Sequence, residues 1–307
     1  MSRPITYLLL LLIMMIWGFN VIAIKILVDY FAPITITAFR ILTAGLVVMI
    51  FLGVKKEFRK VTSQQLIYVT IGTLTGYLGH HFFLATGLTL TTASNTGLIL
   101  GLVPLMTSLF AILFLGDRLT LLRLLGITLG LTGVSFIVLN GAGKLQGIST
   151  GDLYIFCSVI AQAVSFIYIK KATETMDARL ITGWMQIMGA VFLFIVSFQI
   201  EPNGISSLMN KPLWVWAVFF ASAILATGIG HMVYNKAIHQ LGAGESAIFI
   251  NLTPFFSLTG AWLFLGETIA LEQLAGFIFI VTGVVLGTGA LEHKKEYRVR
   301  GTVRKES

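Results

Sequence analysis

Charge is what this sequence has least of. Only 11% of its 307 residues are Asp, Glu, Lys or Arg, against roughly 25% in an ordinary soluble domain. Hydrophobic residues make up 56% and mean hydropathy is +0.91. No aqueous core hides that much apolar surface, so the solvent for this chain is lipid. Cysteine is nearly absent too. Cys157 stands alone, which excludes an internal disulfide and reads as a small buried apolar residue. There is no nucleophile elbow, zinc motif, phosphate loop or dinucleotide fingerprint. The run GAGKLQG at 141–147 lacks the GK[ST] ending of a phosphate loop. The sequence therefore predicts no catalytic residue, no metal and no cofactor.

What charge there is lies at the edges. The formal balance is +8, and residues 291–307 hold Lys294, Lys295, Arg298, Arg300, Arg304 and Lys305. A basic tail after an apolar run reads as a cytoplasmic anchor facing anionic lipid. No folded domain accompanies it, so nucleic acid is not expected as a partner. The N-terminus has Arg3 and then apolar residues from Leu8 to Ile16. No small-x-small cleavage site follows, and the apolar stretch resumes after Asn20, so it reads as an uncleaved first span.

A span needs about 20 apolar residues. Counting between polar breaks gives ten: 5–28, 34–53, 65–90, 92–114, 120–139, 151–170, 179–199, 213–239, 243–265 and 271–290. The breaks leave no room for a soluble domain. With the N-terminus inside, 17 Lys and Arg fall on the inner side. Only Lys25, Lys144 and Lys211 fall outside, and Arg40 lies within a span. That bias places both termini in the cytoplasm.

The chain also repeats itself. Residues 101–140 align with 251–290 at a fixed offset of 150 without a gap, with 13 identities in 40. Leu102, Pro104, Gly116, Gly126 and Gly133 are among them. Asp117 faces Glu267, and upstream His81 meets His231 and Ala93 meets Ala243. The expected architecture is all-α and integral to the membrane. Repeat one covers 5–140, repeat two covers 151–290, and the basic tail covers 291–307. Five spans is an odd number, so two tandem copies must lie upside down to each other. The loops agree: GDRLTLLR (116–123) carries Arg118 and Arg123, whereas its echo GETIALEQ (266–273) has no cation. Inverted repeats are a mark of secondary transporters, with substrate near the midplane. Gly72 with Gly76, Gly126 with Gly130, and Gly283 with Gly287 are small-xxx-small pairs that let helices approach closely. Pro104 and Pro254 each free a carbonyl one turn back.

These residues resemble the EamA-type ten-helix permeases of the drug/metabolite transporter superfamily. The resemblance is carried by Trp17-Gly18-Phe19-Asn20 with Lys25, by Arg40, and by the units Pro104…Gly116-Asp117 and Pro254…Gly266-Glu267. It spans residues 5–290. Asp117 departs from the Glu more usual at that place. The resemblance implies a ten-span bundle, alternating access and a central cavity lined by spans 1, 3, 4, 6, 8 and 9.

An ionisable group inside lipid costs about 2.5–3.5 kcal/mol on insertion scales, so each is a candidate. Trp17 and Asn20 are three apart, share a face and read as cavity-lining. Lys25 reads as snorkelling outward or as a cavity cation. Arg40 is too deep to be free; Asp29 is its expected structural partner, with a substrate carboxylate the rival. His80 and His81 point about 100° apart and cannot share a metal. His81 and His231 form a symmetric pair that either relays protons or packs by hydrogen bonds. Glu245 reads as paired with Lys236 or solvated, with proton coupling the rival. The expected substrate-binding set is Trp17, Asn20, Arg40, His81, Asn95, His231, Tyr234, Asn235 and Asn251. The coupling candidates are His81, His231 and Glu245. The function expected is secondary transport of a small molecule, namely export of amino acids or related amphiphilic metabolites, by a monomer in the plasma membrane. The rival is a membrane-embedded enzyme or lipid-handling scaffold.

Overall fold

Long apolar stretches in lipid must satisfy every backbone group internally, which a helix does. The structure, a computed structural model, describes residues 3–116, 119–139, 149–241 and 249–287, and no strand occurs among them. Asp117, Arg118, Lys144, Glu245 and the tail 291–307 lie outside the described residues.

The first repeat region holds α1 (Arg3–Tyr30), α2 (Pro33–Val54), α3 (Ser63–Gly72), α4 (His80–Leu90), α5 (Ala93–Leu100), α6 (Val103–Leu115) and α7 (Leu121–Leu139). The second holds α8 (Thr150–Thr173), α9 (Ala178–Ile200), a short 3-10 turn at Gly204–Leu208, α10 (Leu213–Phe220), α11 (Gly230–Leu241), α12 (Thr253–Leu265) and α13 (Leu271–Gly287). Six stretches are long and apolar enough to cross a bilayer, and three shorter apolar helices accompany them. Large side chains face outward along them: Leu213 is 85% exposed, Leu121 71% and Phe264 66%. In water such exposure would be a liability; in lipid it is the contact surface.

Two local features recur at matching places in the two halves. α3 runs into α4, and α10 into α11, through π-helical segments at Thr73–Gly79 and Ala221–Ile229. In each the widened turn closes five residues back, from the His80 amide to the Thr75 carbonyl and from the Gly230 amide to the Leu225 carbonyl. The wide turns thus sit just before His80-His81 and His231. The second feature is a break. α5 stops at Gly101 and α6 starts at Val103, with Pro104 in its first turn. The chain turns again at Asn251 and Leu252, and α12 starts at Thr253 with Pro254 in its first turn. Proline has no amide to give and fits a first turn, so the prolines start new helices rather than bend old ones. α6 and α12 both end on a left-handed glycine, Gly116 at φ 74° and Gly266 at φ 64°.

Glycine sets the closest packing. A side chain on Gly126 would strike the Gly283 carbonyl and the Gly287 backbone, and one on Gly133 would lie 2.8 Å from the Gly276 carbonyl. Residue numbers therefore rise along α7 as they fall along α13, and the two helices meet backbone to backbone. Ser108 Oγ donates to the Gly287 carbonyl at 2.7 Å across the same seam. α2 and α9 pack in the same sense, with Gly45 against Gln186 and Ile187, and Gly183 against Val48 and Met49. Gly72 and Gly76 face Met185 and Ser165, so all three glycine pairs mark tight contacts.

Candidate functional site

The buried polar groups of the bundle interior form one connected knot. Arg40, on α2, is 1% exposed. Its Nη1 donates to Thr227 Oγ1 at 2.8 Å, and its Nη2 lies 3.2 Å from His81 Nδ1. A guanidinium only donates, so His81 Nδ1 accepts and the ring proton sits on Nε2. His231 Nδ1 meets the Thr227 carbonyl at 2.9 Å. A carbonyl only accepts, so there the proton is on Nδ1 and Nε2 is left as an acceptor. The two imidazoles carry opposite tautomers. The Thr227 hydroxyl also donates to the Ser222 carbonyl at 3.0 Å, and the Gln186 amide donates to the Thr227 carbonyl at 3.0 Å. The π-helical segment of the second half thereby turns one threonine into the hub for three neighbouring helices.

Aromatic rings close around the knot. Trp17, on α1, packs tilted against both His231 and Tyr234 with ring centres 5.1 Å apart, and its indole donates to the Ala226 carbonyl at 2.9 Å. Tyr77, on the first π-helical segment, lies 5.7 Å from the His81 ring and 6.2 Å from that of His231. Beside these rings is a narrow cavity of about 10 Å³, about the room one water molecule needs. Its polar lining is Tyr77, His81, Gln162, Thr182, His231 and Asn235, and its apolar lining includes Phe166, Ile181 and Met185. Asn235 is held by its amide donating to Thr182 Oγ1 at 2.7 Å.

The expected residues divide accordingly. Trp17, Arg40, His81, His231, Tyr234 and Asn235 come together. Asn20 is one shell out, accepting from Ser222 Oγ at 2.5 Å. Asn251 is buried at the break before α12, and neither atom of its amide has a partner among the described residues. Asn95 belongs elsewhere. It starts α5, donates to the Asp152 carboxylate at 3.3 Å and accepts from Gln273 at 2.7 Å.

Two expectations are corrected. Asp29 does not pair with Arg40. Lys25 is one helical turn from Asp29 on α1 and takes it at 3.4 Å, while also donating to the Leu88 carbonyl at 2.8 Å. Lys25 is thus a tie between α1 and the end of α4. The cavity wall also differs from the expected set of spans. It draws on the helical run 63–90 and on α8, α9 and α11. α9 contributes because Gly45 lets it press close to α2, and α1 reaches the site only through Trp17 behind His231. His80 turns away to Ser158, 2.7 Å from the hydroxyl, and no metal-holding cluster occurs among the described residues.

Gln162, Thr182, Gln186 and Thr227 were not among the expected residues. For the two glutamines, a lone amide in an apolar helix was the signal available. The sequence reading also missed a set of carboxylates at one end of the bundle. The two oxygens of Glu267 accept the amides of Ala93 and Ser94 at 2.9 Å each, capping α5 from the other half. Glu201 does the same for α2 at Ile34 and Thr35, at 2.9 and 2.8 Å. Asp152 accepts from Thr91 and Asn95. At the other end, Glu57 pairs with Arg179 at 2.7 Å, and Arg179 with Asp177 at 2.9 Å.

Several known proteins of similar sequence are transporters by name. The model of the EamA-like transporter family matches residues 4–139 and 149–288. The chain is 29% identical to "Uncharacterized transporter YyaM" of Bacillus subtilis, over 88% of this chain and 89% of that protein. It is 25% identical to an "Uncharacterized transporter" of Archaeoglobus fulgidus, over 94% and 99%. One solved crystal structure superposes with a TM-score of 0.68 at 18% identity, covering 94% of this chain and 97% of the other. Two matched segments in one chain, on an all-helical frame with six long apolar stretches, leave one conclusion: the protein belongs to the EamA-like transporter family.

Proposed function

We propose that this protein is a secondary transporter of small amphiphilic metabolites, amino acids or their close relatives, exporting them across the plasma membrane by alternating access. The observation that carries the reading is the cavity itself. It is buried, amphipathic and walled by side chains from both repeats, with Tyr77 and His81 on one and Gln162, Thr182, His231 and Asn235 on the other. A cavity between two halves opens to either side when one half rocks against the other.

The ten-span reading, with both termini in the cytoplasm, fits the helical runs. Inversion is supported by the seam between α7 and α13. The contact of Gly126 with Gly283 becomes Gly276 with Gly133 when the repeats are exchanged, and both contacts occur. Two homologous helices meeting antiparallel in this way is the self-complementary contact of a two-fold axis lying in the membrane plane. A fused pair of halves needs no second copy, so the working unit is a monomer. Trp17, Asn20, Arg40, His81, His231, Tyr234, Asn235 and Asn251 form the substrate path, and Asn95 serves the end network. For coupling, His231 with its free Nε2 is a better candidate than His81, whose Nδ1 is taken by Arg40. Glu245 stays a candidate from its sequence position.

The test is counterflow in proteoliposomes loaded with unlabelled solute, with and without a pH gradient. Saturable exchange of an amphiphilic solute supports the reading. Exchange indistinguishable from empty liposomes across amino acids, their deaminated acids and their amines contradicts it.

A further inference from the structure

The repeat turns Tyr77 into Thr227 and His81 into His231, each by the same offset of 150. The cavity wall includes Tyr77 and His231. Its counterpart under exchange of the halves is the space between Thr227 and His81. That space is filled: the Arg40 guanidinium occupies it, bonded to Thr227 on one side and His81 on the other. The two positions adjoin at His81, which lines the cavity and also meets Arg40: one holds free volume and the other a cation. When the halves exchange roles in an alternating-access cycle, the space holding the guanidinium becomes the cavity.

Among the described residues no Asp or Glu pairs with Arg40 and none lines the cavity, and Arg40 Nε has no hydrogen-bond partner. A buried guanidinium without an anion is strongly unfavourable, and its fork geometry matches a carboxylate. The remaining lining donates or accepts neutral hydrogen bonds, and Phe166, Ile169, Ile181 and Met185 supply an apolar wall. Among the described residues the lining offers an ammonium ion neutral acceptors but no carboxylate.

We propose that the transported solute is a monoanion, a single carboxylate on an apolar or aromatic body, and that Arg40 is its counter-ion. This rests on the transporter reading and narrows it, from amino acids and their relatives to relatives that lack the amine. His81, with Nε2–H free, supplies a second donor and is kept in that tautomer by Arg40.

The experiment compares matched solutes on one skeleton in proteoliposomes of the full chain. The probes are phenyllactate, phenylalanine and phenethylamine, then 2-hydroxyisocaproate, leucine and isoamylamine. The expected result is counterflow of the two hydroxy acids at least tenfold above the zwitterions and amines. Arg40→Gln is expected to raise the half-saturation concentration for the acid at least tenfold, with Arg40→Lys intermediate. Thr227→Val, which removes one guanidinium bond and leaves the cation, is expected to shift it about threefold. Size-exclusion profiles and thermal unfolding report whether each variant folds, and Arg40→Lys serves if Arg40→Gln does not. Preference for a zwitterion or an amine overturns the charge assignment and leaves the transporter reading standing. Anion preference unchanged in a folded Arg40 variant overturns the role of Arg40. Exchange of none of the six solutes overturns the transporter reading for amphiphiles of this size, and the proposal with it.

Discussion

The centre of the bundle and its ends treat charge in opposite ways. At one end, Glu201, Glu267 and Asp152 have no lysine or arginine partner among the described residues and accept hydrogen bonds from helix N-termini and neutral side chains. At the centre, Arg40 has no acid among the described residues and leans on a hydroxyl and an imidazole. The end carboxylates are compensated by the partial positive charge of helix N-termini. The guanidinium has no such compensation. The lesson is one of division of labour. Acids fasten the halves to each other at the ends of the bundle, and the central cation is held by neutral groups alone among the described residues.

The most drastic way to break this comparison is to remove the frame that holds both regions. Gly126→Leu or Gly283→Leu puts a branched side chain into a backbone contact between α7 and α13. Overpacking of this kind costs about 1–3 kcal/mol or more where nothing can yield. The expected outcome is loss of the monodisperse peak on size exclusion. Normal yield and an unchanged profile would show that the seam is looser than described.

A smaller effect sharpens the account of the ends. Glu267→Gln leaves one acceptor for two amides and removes the charge facing the N-terminus of α5. Hydrogen bonds to charged groups contribute about 1.5–3 kcal/mol, so thermal unfolding in detergent should shift down by a matching amount. Glu201→Gln should behave alike. An unchanged melting temperature in both would mean that these carboxylates contribute nothing net.

At the centre, His231→Ala removes a ring packed against Trp17 and bonded to Thr227. The expected result is roughly tenfold weaker half-saturation, equivalent to about 1.4 kcal/mol, with little loss of folded protein. Asn20→Ala, one shell out, should shift affinity by less. If both leave the transport kinetics unchanged, the cavity is not the substrate path.

The smallest effect concerns the opposite end. The Asp177 carboxylate lies below its ordinary value, chiefly through its side-chain hydrogen bonds with Arg179. A carboxylate depressed by folding stabilises the fold above its unfolded value. That contribution is lost as pH falls through the lower, folded value. Asp177→Asn should therefore lower stability slightly at neutral pH, leave it almost unchanged at acid pH, and so flatten the acid limb of a stability-versus-pH curve. A larger change at acid pH than at pH 7 would contradict the sign.

Much of the frame was legible before any coordinates. Apolar run lengths marked the helices, the offset of 150 marked the duplication, and Gly126 and Gly283 marked the seam. His81 and His231 stood out because an imidazole in lipid is expensive and the repeat placed it twice. What stayed hidden depends on distance. Thr227 is 187 residues from Arg40, and nothing in a linear sequence joins them. Asp29 seemed a partner for Arg40 by proximity along the chain. The i,i+4 spacing on α1 gave Asp29 to Lys25 instead, and that spacing was in the sequence to be read. The π-helical segments were invisible because a wide turn has no composition of its own. The acid of the Gly266-Glu267 unit was visible, but its role was not. Only the fold shows that the left-handed glycine turns the chain so that the next carboxylate reaches the N-terminus of α5.

The most direct measurement for the central claim is access to the cavity from both sides. Asn235→Cys, in a background where Cys157 is replaced by Ser, places one thiol in the cavity wall. A membrane-impermeant maleimide is applied to intact cells and, separately, to inverted vesicles. The account predicts labelling from both sides, slowed from both by a transported solute. Labelling from one side only, or from neither, would contradict a cavity that opens alternately to each face.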